Sequence, residues 1–148
     1  LTLRSNHVRQ HKGEVAFPGG VLEPEDKDMV NCALRESWEE MGIKPDDVEI
    51  IGPLDTMLTR TNYLVWPIVG VVSSPYEFVT DPREVAEVFQ IPVPALLKEE
   101  SIRYECRMLA DGTLLRRHSY TFGEFIVFGA TAWILDQLLE MIRTAMKA

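Results

Sequence analysis

Cysteine is nearly absent from the chain. With only Cys32 and Cys106 in 148 residues there is no disulfide framework and no Cys-x-x-Cys metal pair. Both thiols read as small buried apolar residues, Cys32 in a predicted helix and Cys106 in a predicted strand, and no His/Asn constellation marks either as a nucleophile. Basic charge is scarce too: Asp and Glu outnumber Lys and Arg by 23 to 15, a net charge of -8. That balance argues against nucleic acid as the main partner, because duplex binding relies on clustered Lys and Arg against phosphates. The uncharged apolar segment 125–135 is far shorter than the roughly 20 residues of a spanning helix, so no membrane partner is expected. No secretory leader or Ser-Lys-Leu tail is visible, which makes a cytoplasmic location the expectation. No repeat, linker or low-complexity tract divides the chain, whose length suits a single domain over 1–148.

What the chain has in quantity is carboxylate, and three of them are placed with helical regularity. Glu36, Glu39 and Glu40 are related as i, i+3 and i+4, so one helix turn gathers them on one face, while Val30, Leu34, Trp38 and Met41 form an apolar stripe elsewhere. Three like charges this close repel, and all-oxygen ligands favour hard Mg²⁺ or Mn²⁺ as the neutralising cation. A bare cluster of helical carboxylates reads equally as a solvated acidic face. The flanking residues decide for the metal.

Gly20, Arg35-Glu36, Glu39-Glu40 and Gly42-Ile43 resemble the Nudix box, with Ser37 in place of the usual aliphatic residue. Fourteen residues separate Gly20 from Arg35 where the common box has thirteen. Counting forward from Gly20 puts the spacer acid at Asp26 and counting back from Arg35 puts it at Lys27, with Asp26 the better candidate. The longer spacer is similar to the variant box of the coenzyme A diphosphatase group. Leu3, Arg4, Ser5, Arg9, His11, Gly13, Val15, Phe17, Pro18, Gly19 and Gly20 fall in the register of that group's signature ahead of the box. Val8 stands where Leu is usual, Glu14 where Gln is common, and Asn62 where a later loop usually has Gly.

The resemblance implies a Nudix-type α/β/α sandwich with a mixed sheet between helices, lacking its leading strand because the chain opens inside what looks like the second. The residues themselves read as α+β. A strand ends at residue 3, another covers 14–17, and Pro18-Gly19-Gly20 is a turn. A helix follows, capped by Asp28 and ended by Gly42. Strands are expected over 48–58, 63–72 and 85–91, a short helix over 94–98, a hairpin over 102–109 and 114–122 turned at Asp111-Gly112, and a long helix over 124–146.

A diphosphate repels an anionic nucleophile, so its hydrolysis calls for cations that neutralise charge and acidify water. Glu36, Glu39 and Glu40 can hold them, and the resemblance adds the main-chain carbonyl of Gly20. Arg35 orients a box glutamate through a charged hydrogen bond. For the general base the family offers a box glutamate or a distal acid; Glu84 and Glu87 are the distal candidates, with Glu84 favoured because its place resembles that of the group's acid before a valine. Arg4, Arg9, His11 and Lys12 suit phosphate oxygens and equally suit ordinary surface charge. Arg103, Arg107, Arg116, Arg117 and His118 form a second basic group expected to be solvated. Trp66 and Trp133 are expected in the core, and Tyr120 is a candidate to stack on adenine. The implied reaction is cleavage of coenzyme A or a derivative to 3′,5′-ADP and 4′-phosphopantetheine or its acyl form. The alternatives are the same chemistry on ADP-ribose or a dinucleotide, and a nucleotide-sensing module without catalysis. Monomer and homodimer are both compatible with the sequence.

Overall fold

The computed structural model describes residues 1–7 and 11–147. Its contacts group the chain into two compact units, Leu1–Gln90 and the residues from Ile91 onward. The class is α+β, and among the described residues every strand pairing is antiparallel. No helix among them is long and apolar enough to cross a membrane.

The first unit runs β1 (Thr2–Arg4), β2 (Val15–Ala16), α1 (Met29–Met41), β3 (Val48–Pro53), β4 (Met57–Leu58), β5 (Leu64–Val65), β6 (Ile68–Val72) and β7 (Val85–Val88). β1 is the middle strand of three, with Thr2 opposite Ala16 on one side and Val88 on the other. Its register with β7 slips between Leu3 and Arg4, which sets Arg4 opposite Val85; such bulges re-aim a side chain. The expected strands over 48–58 and 63–72 are broken into β3–β4 and β5–β6. Pro53 and Pro67 have no N–H for a ladder, and the Pro67 carbonyl instead accepts from the Leu54 amide at 2.9 Å. Asn62 takes the left-handed conformation, φ 65°, that a glycine would supply there, and Asn tolerates it better than most residues.

Both ends of α1 follow the sequence. Asp28 is extended and accepts the Asn31 amide at 2.8 Å, while Gly42 is left-handed at φ 69° and its N–H closes on Trp38. The buried face differs from the apolar stripe. Trp38 is 47% exposed, whereas Cys32, Glu40 and Met41 are buried. Cys32, Glu36 and Glu40 follow one another every four residues, so the face turned inward carries two of the box carboxylates.

The second unit runs α2 (Val93–Leu96), β8 (Ile102–Met108), β9 (Leu114–Phe122), β10 (Phe125–Val127) and α3 (Gly129–Ala145). The β8–β9 hairpin matches the expected 114–122 strand and stops one residue short of the expected 102–109, with Gly112 at φ 84° in its turn. The helix expected over 124–146 starts only at Gly129. Gly123 makes a second turn, and Phe125, Ile126 and Val127 pair with Phe122, Thr121 and Tyr120, as aromatic and β-branched residues favour. Ala132, Leu135 and Leu139 on α3 are buried, as are Tyr120 and Val127 of the sheet. Cys106, expected to be buried, is exposed on β8. Trp66 is also outside the core, 45% exposed in the break between β5 and β6. Tyr120 is 1% exposed and donates its hydroxyl to Asp136, so it is not available to stack on a base.

Candidate active site

The box is organised around Arg35. Its Nε and Nη2 donate to the two carboxylate oxygens of Asp26 at 3.1 and 2.9 Å, and Nη2 also reaches the Val21 carbonyl at 3.1 Å. Nη1 then spans Glu36 at 2.8 Å and Glu39 at 3.2 Å. A planar guanidinium fixed on one edge by a fork to Asp26 has its other edge aimed by that fork. The Arg35 hydrogen bonds hold the Asp26 carboxyl well down, at about 2. Asp26 is thus the acid that the longer spacer brings to Arg35; Lys27, the rival position, plays no part in these contacts.

Gly20 lies against Glu36. A Cβ built on it would stand 2.1 Å from Glu36 Oε1, so only a residue without a side chain leaves room for that carboxylate. The neighbouring Gly19 has open space at the same point, and its amide hydrogen-bonds the Glu40 carboxylate. Burial raises the Glu36 pKa, with Arg35 opposing. Burial also drives Glu40 up to about 7, with Arg4 opposing and Glu36 and Glu84 adding to the rise.

Glu84 is carried by a strap between α1 and β1. The Val79 and Asp81 amides donate to the Met41 and Glu40 carbonyls at 3.0 and 3.2 Å, and the Ser5 amide donates to the Glu84 carbonyl at 2.8 Å. Asp81 turns the strap by accepting from Arg83. The Glu84 charge acts on both Glu36 and Glu40. Glu87 is exposed on β7 opposite Leu3, and none of the described interactions links it to the box glutamates. Arg4 acts on Glu40 and keeps a buried Nε without a hydrogen-bond partner among the described residues. His11, at φ 58°, bonds Glu14 at 2.9 Å on the surface. Arg9 lies outside the described residues.

Among the described residues no three His, Cys, Asp or Glu side chains close on one point as a finished metal cage. Glu36 and Glu39 are held by Arg35, and Glu40 is buried beside Arg4. The donor chemistry nevertheless fits a hard divalent cation. The donor atoms are oxygens, Gly20 backs one of them, and a carboxyl pushed up by burial and further by two other carboxylates is a place where positive charge is stabilising.

A family model described as the NUDIX domain matches residues 1–108 of the chain. The chain belongs to the Nudix family. It is 36% identical to a protein of Photorhabdus laumondii described as uncharacterized Nudix hydrolase NudL, over 97% of this chain and 76% of that protein. It is 41% identical to a protein of the same description from Enterobacter, over 96% and 73%, and 34% identical to one from Yersinia pestis, over 96% and 71%. As a Nudix hydrolase it is a diphosphatase acting on nucleoside diphosphate derivatives, in a family that generally uses divalent ions such as Mg²⁺ or Mn²⁺. In this Nudix hydrolase, Asp26→Asn removes the charge that anchors Arg35. If Glu36 and Glu39 hold the cation, turnover of a diphosphate substrate is expected to fall roughly 10–100-fold, the usual cost of losing a residue that orients a metal ligand. Asp26 is lowered from 3.8, so its stabilisation is present above that value and lost as pH falls through about 2. The variant's acid unfolding should therefore begin at higher pH, as circular dichroism would record.

Proposed function

We propose that the protein hydrolyses the diphosphate of coenzyme A or its acyl derivatives, giving 3′,5′-ADP and 4′-phosphopantetheine or its acyl form. The observation that carries the substrate is the run from Leu3 to Gly20, whose residues keep the register of the coenzyme A diphosphatase signature directly ahead of the glutamate site. The buried, unpartnered Nε of Arg4 beside Glu40 supports it, because a guanidinium with donors to spare suits a phosphate oxygen.

Gly20 by its carbonyl, with Glu36, Glu39 and Glu40, would hold Mg²⁺ or Mn²⁺. When bound, such ions neutralise charge on the phosphates and lower the pKa of water. Arg35 keeps Glu36 and Glu39 oriented from their rigid helix. Glu84 takes the proton of the attacking water as its oxygen bonds to phosphorus and the bridging P–O bond breaks. Arg4, with Arg9 and His11 from the same segment, binds phosphate oxygens.

Chromatography of products after incubation with coenzyme A, acetyl-coenzyme A, ADP-ribose and NADH, with Mg²⁺ or Mn²⁺ and with EDTA, tests this reading. Metal-dependent release of 3′,5′-ADP from the first two is expected. Release of AMP from the last two alone would assign the enzyme to ADP-ribose or dinucleotides.

A further inference from the structure

The second unit holds a shallow cleft of about 380 Å³ lined by Tyr104, Arg116, His118 and Asp136. The hairpin register places Tyr104 opposite His118, Cys106 opposite Arg116 and Ile102 opposite Tyr120, so Tyr104, Arg116, His118 and Tyr120 share one face. Each polar group there is anchored. Asp136 of α3 accepts from the Tyr120 hydroxyl and from His118 Nδ1, the latter at 2.8 Å. An ionised carboxylate only accepts, so Nδ1 carries the proton and Nε2 is the nitrogen left for a ligand. Arg116 lies with its Cζ 3.4 Å over the Tyr104 ring, and among the described residues no carboxylate pairs with it.

Among the hairpin's other arginines, Arg103 donates to the carbonyls of Glu100 and Ile102, and Arg107 and Arg117 stand opposite Leu115 and Glu105 on the other face. The Arg116 guanidinium is held flat by stacking beside an imidazole held by a carboxylate, so its charge and that of Asp136 both line the cleft. A guanidinium donor and a bare imidazole nitrogen next to an aromatic face match a singly ionised phosphate with a ring attached, one oxygen accepting from Arg116 and the P–O–H donating to His118 Nε2.

We propose that Tyr104, Arg116 and His118, with Asp136 orienting the imidazole, form a binding site for a phosphomonoester anion, carried wholly by residues of the second unit. The chemistry is common to free phosphate and to the phosphate ester of an aromatic group, and separate titrations distinguish them. The His118 ring signals of the protein would be followed by NMR in EDTA, so that no divalent ion contributes, while inorganic phosphate or phenyl phosphate is added. Saturable shifts are expected, at lower concentration with phenyl phosphate if Tyr104 contacts the ring. Arg116→Gln should weaken the response at least tenfold, and Arg117→Gln, on the opposite face, should leave it unchanged. Absence of saturation with both ligands, or a response in Arg116→Gln equal to wild type, would overturn the proposal.

Discussion

Glu40→Gln is expected to give a protein more stable than wild type at pH 8 in EDTA and almost without turnover. The carboxyl is 3% exposed, and burial lifts it from 4.5 to about 7. Between those values the folded protein holds a proton that the unfolded chain has released. Glu40 therefore favours folding fully below 4.5, and that contribution is lost as pH rises through 7. Keeping it ionised at pH 8 costs on the order of 3 kcal/mol, since each tenfold change in proton affinity is worth about 1.4 kcal/mol. The amide can still accept the Gly19 N–H and carries no charge. Its advantage in denaturant midpoint should be clear at pH 8 and should vanish near pH 5. If the box glutamates hold a divalent ion, Mg²⁺ should raise the midpoint of wild type and not of the variant. If Glu40 holds a cation that neutralises the reacting phosphate, turnover should fall by a factor of about 10³ or more. A variant with wild-type turnover would remove Glu40 from the site.

Gly20→Ala is expected to lower catalysis while leaving folding nearly unchanged. The new methyl would meet Glu36 Oε1, Cδ and Oε2 at 2.1, 2.4 and 2.8 Å. Those atoms are the end of a flexible side chain, so the clash is relieved by swinging the carboxylate aside. The thermal midpoint should change little. Displacement of a ligand by an ångström or more should lower kcat by about 10²-fold. Gly19→Ala is the internal control: a Cβ there meets nothing within 4 Å, and the amide that bonds Glu40 is kept. Equal activity in the two alanine variants would mean that the position of Glu36 does not limit the reaction.

These effects trace to features of different legibility. The ends of α1 and the Asp111-Gly112 turn are readable because each depends on a few adjacent residues: a capping carboxylate, or a glycine at positive φ. The three-glutamate spacing is readable for the same reason. Which face of α1 turns inward is decided by distant segments, among them β6, β7 and the strap through Val79 and Asp81. Trp38 therefore lies outside the core, contrary to its place on the apolar stripe, and Glu40 lies inside it. The uncharged run 125–135 fits a strand or a helix equally, so its apolar pattern does not separate β10 from the start of α3. The link between Arg35 and Asp26 is ambiguous in sequence because the two ways of counting the spacer disagree, and only the fork of hydrogen bonds decides between them. Glu84, favoured through the family resemblance, acts electrostatically on Glu36 and Glu40, a link between distant segments that the sequence does not display.

The central claim is that the glutamates of α1 hold a divalent cation. Titration of the protein with Mn²⁺ followed by electron paramagnetic resonance tests it directly, with wild type compared against Glu36→Gln and Glu40→Gln. Saturable binding by wild type, weakened roughly 10-fold or more in both variants, is the predicted result. The same binding curve for all three proteins would contradict it.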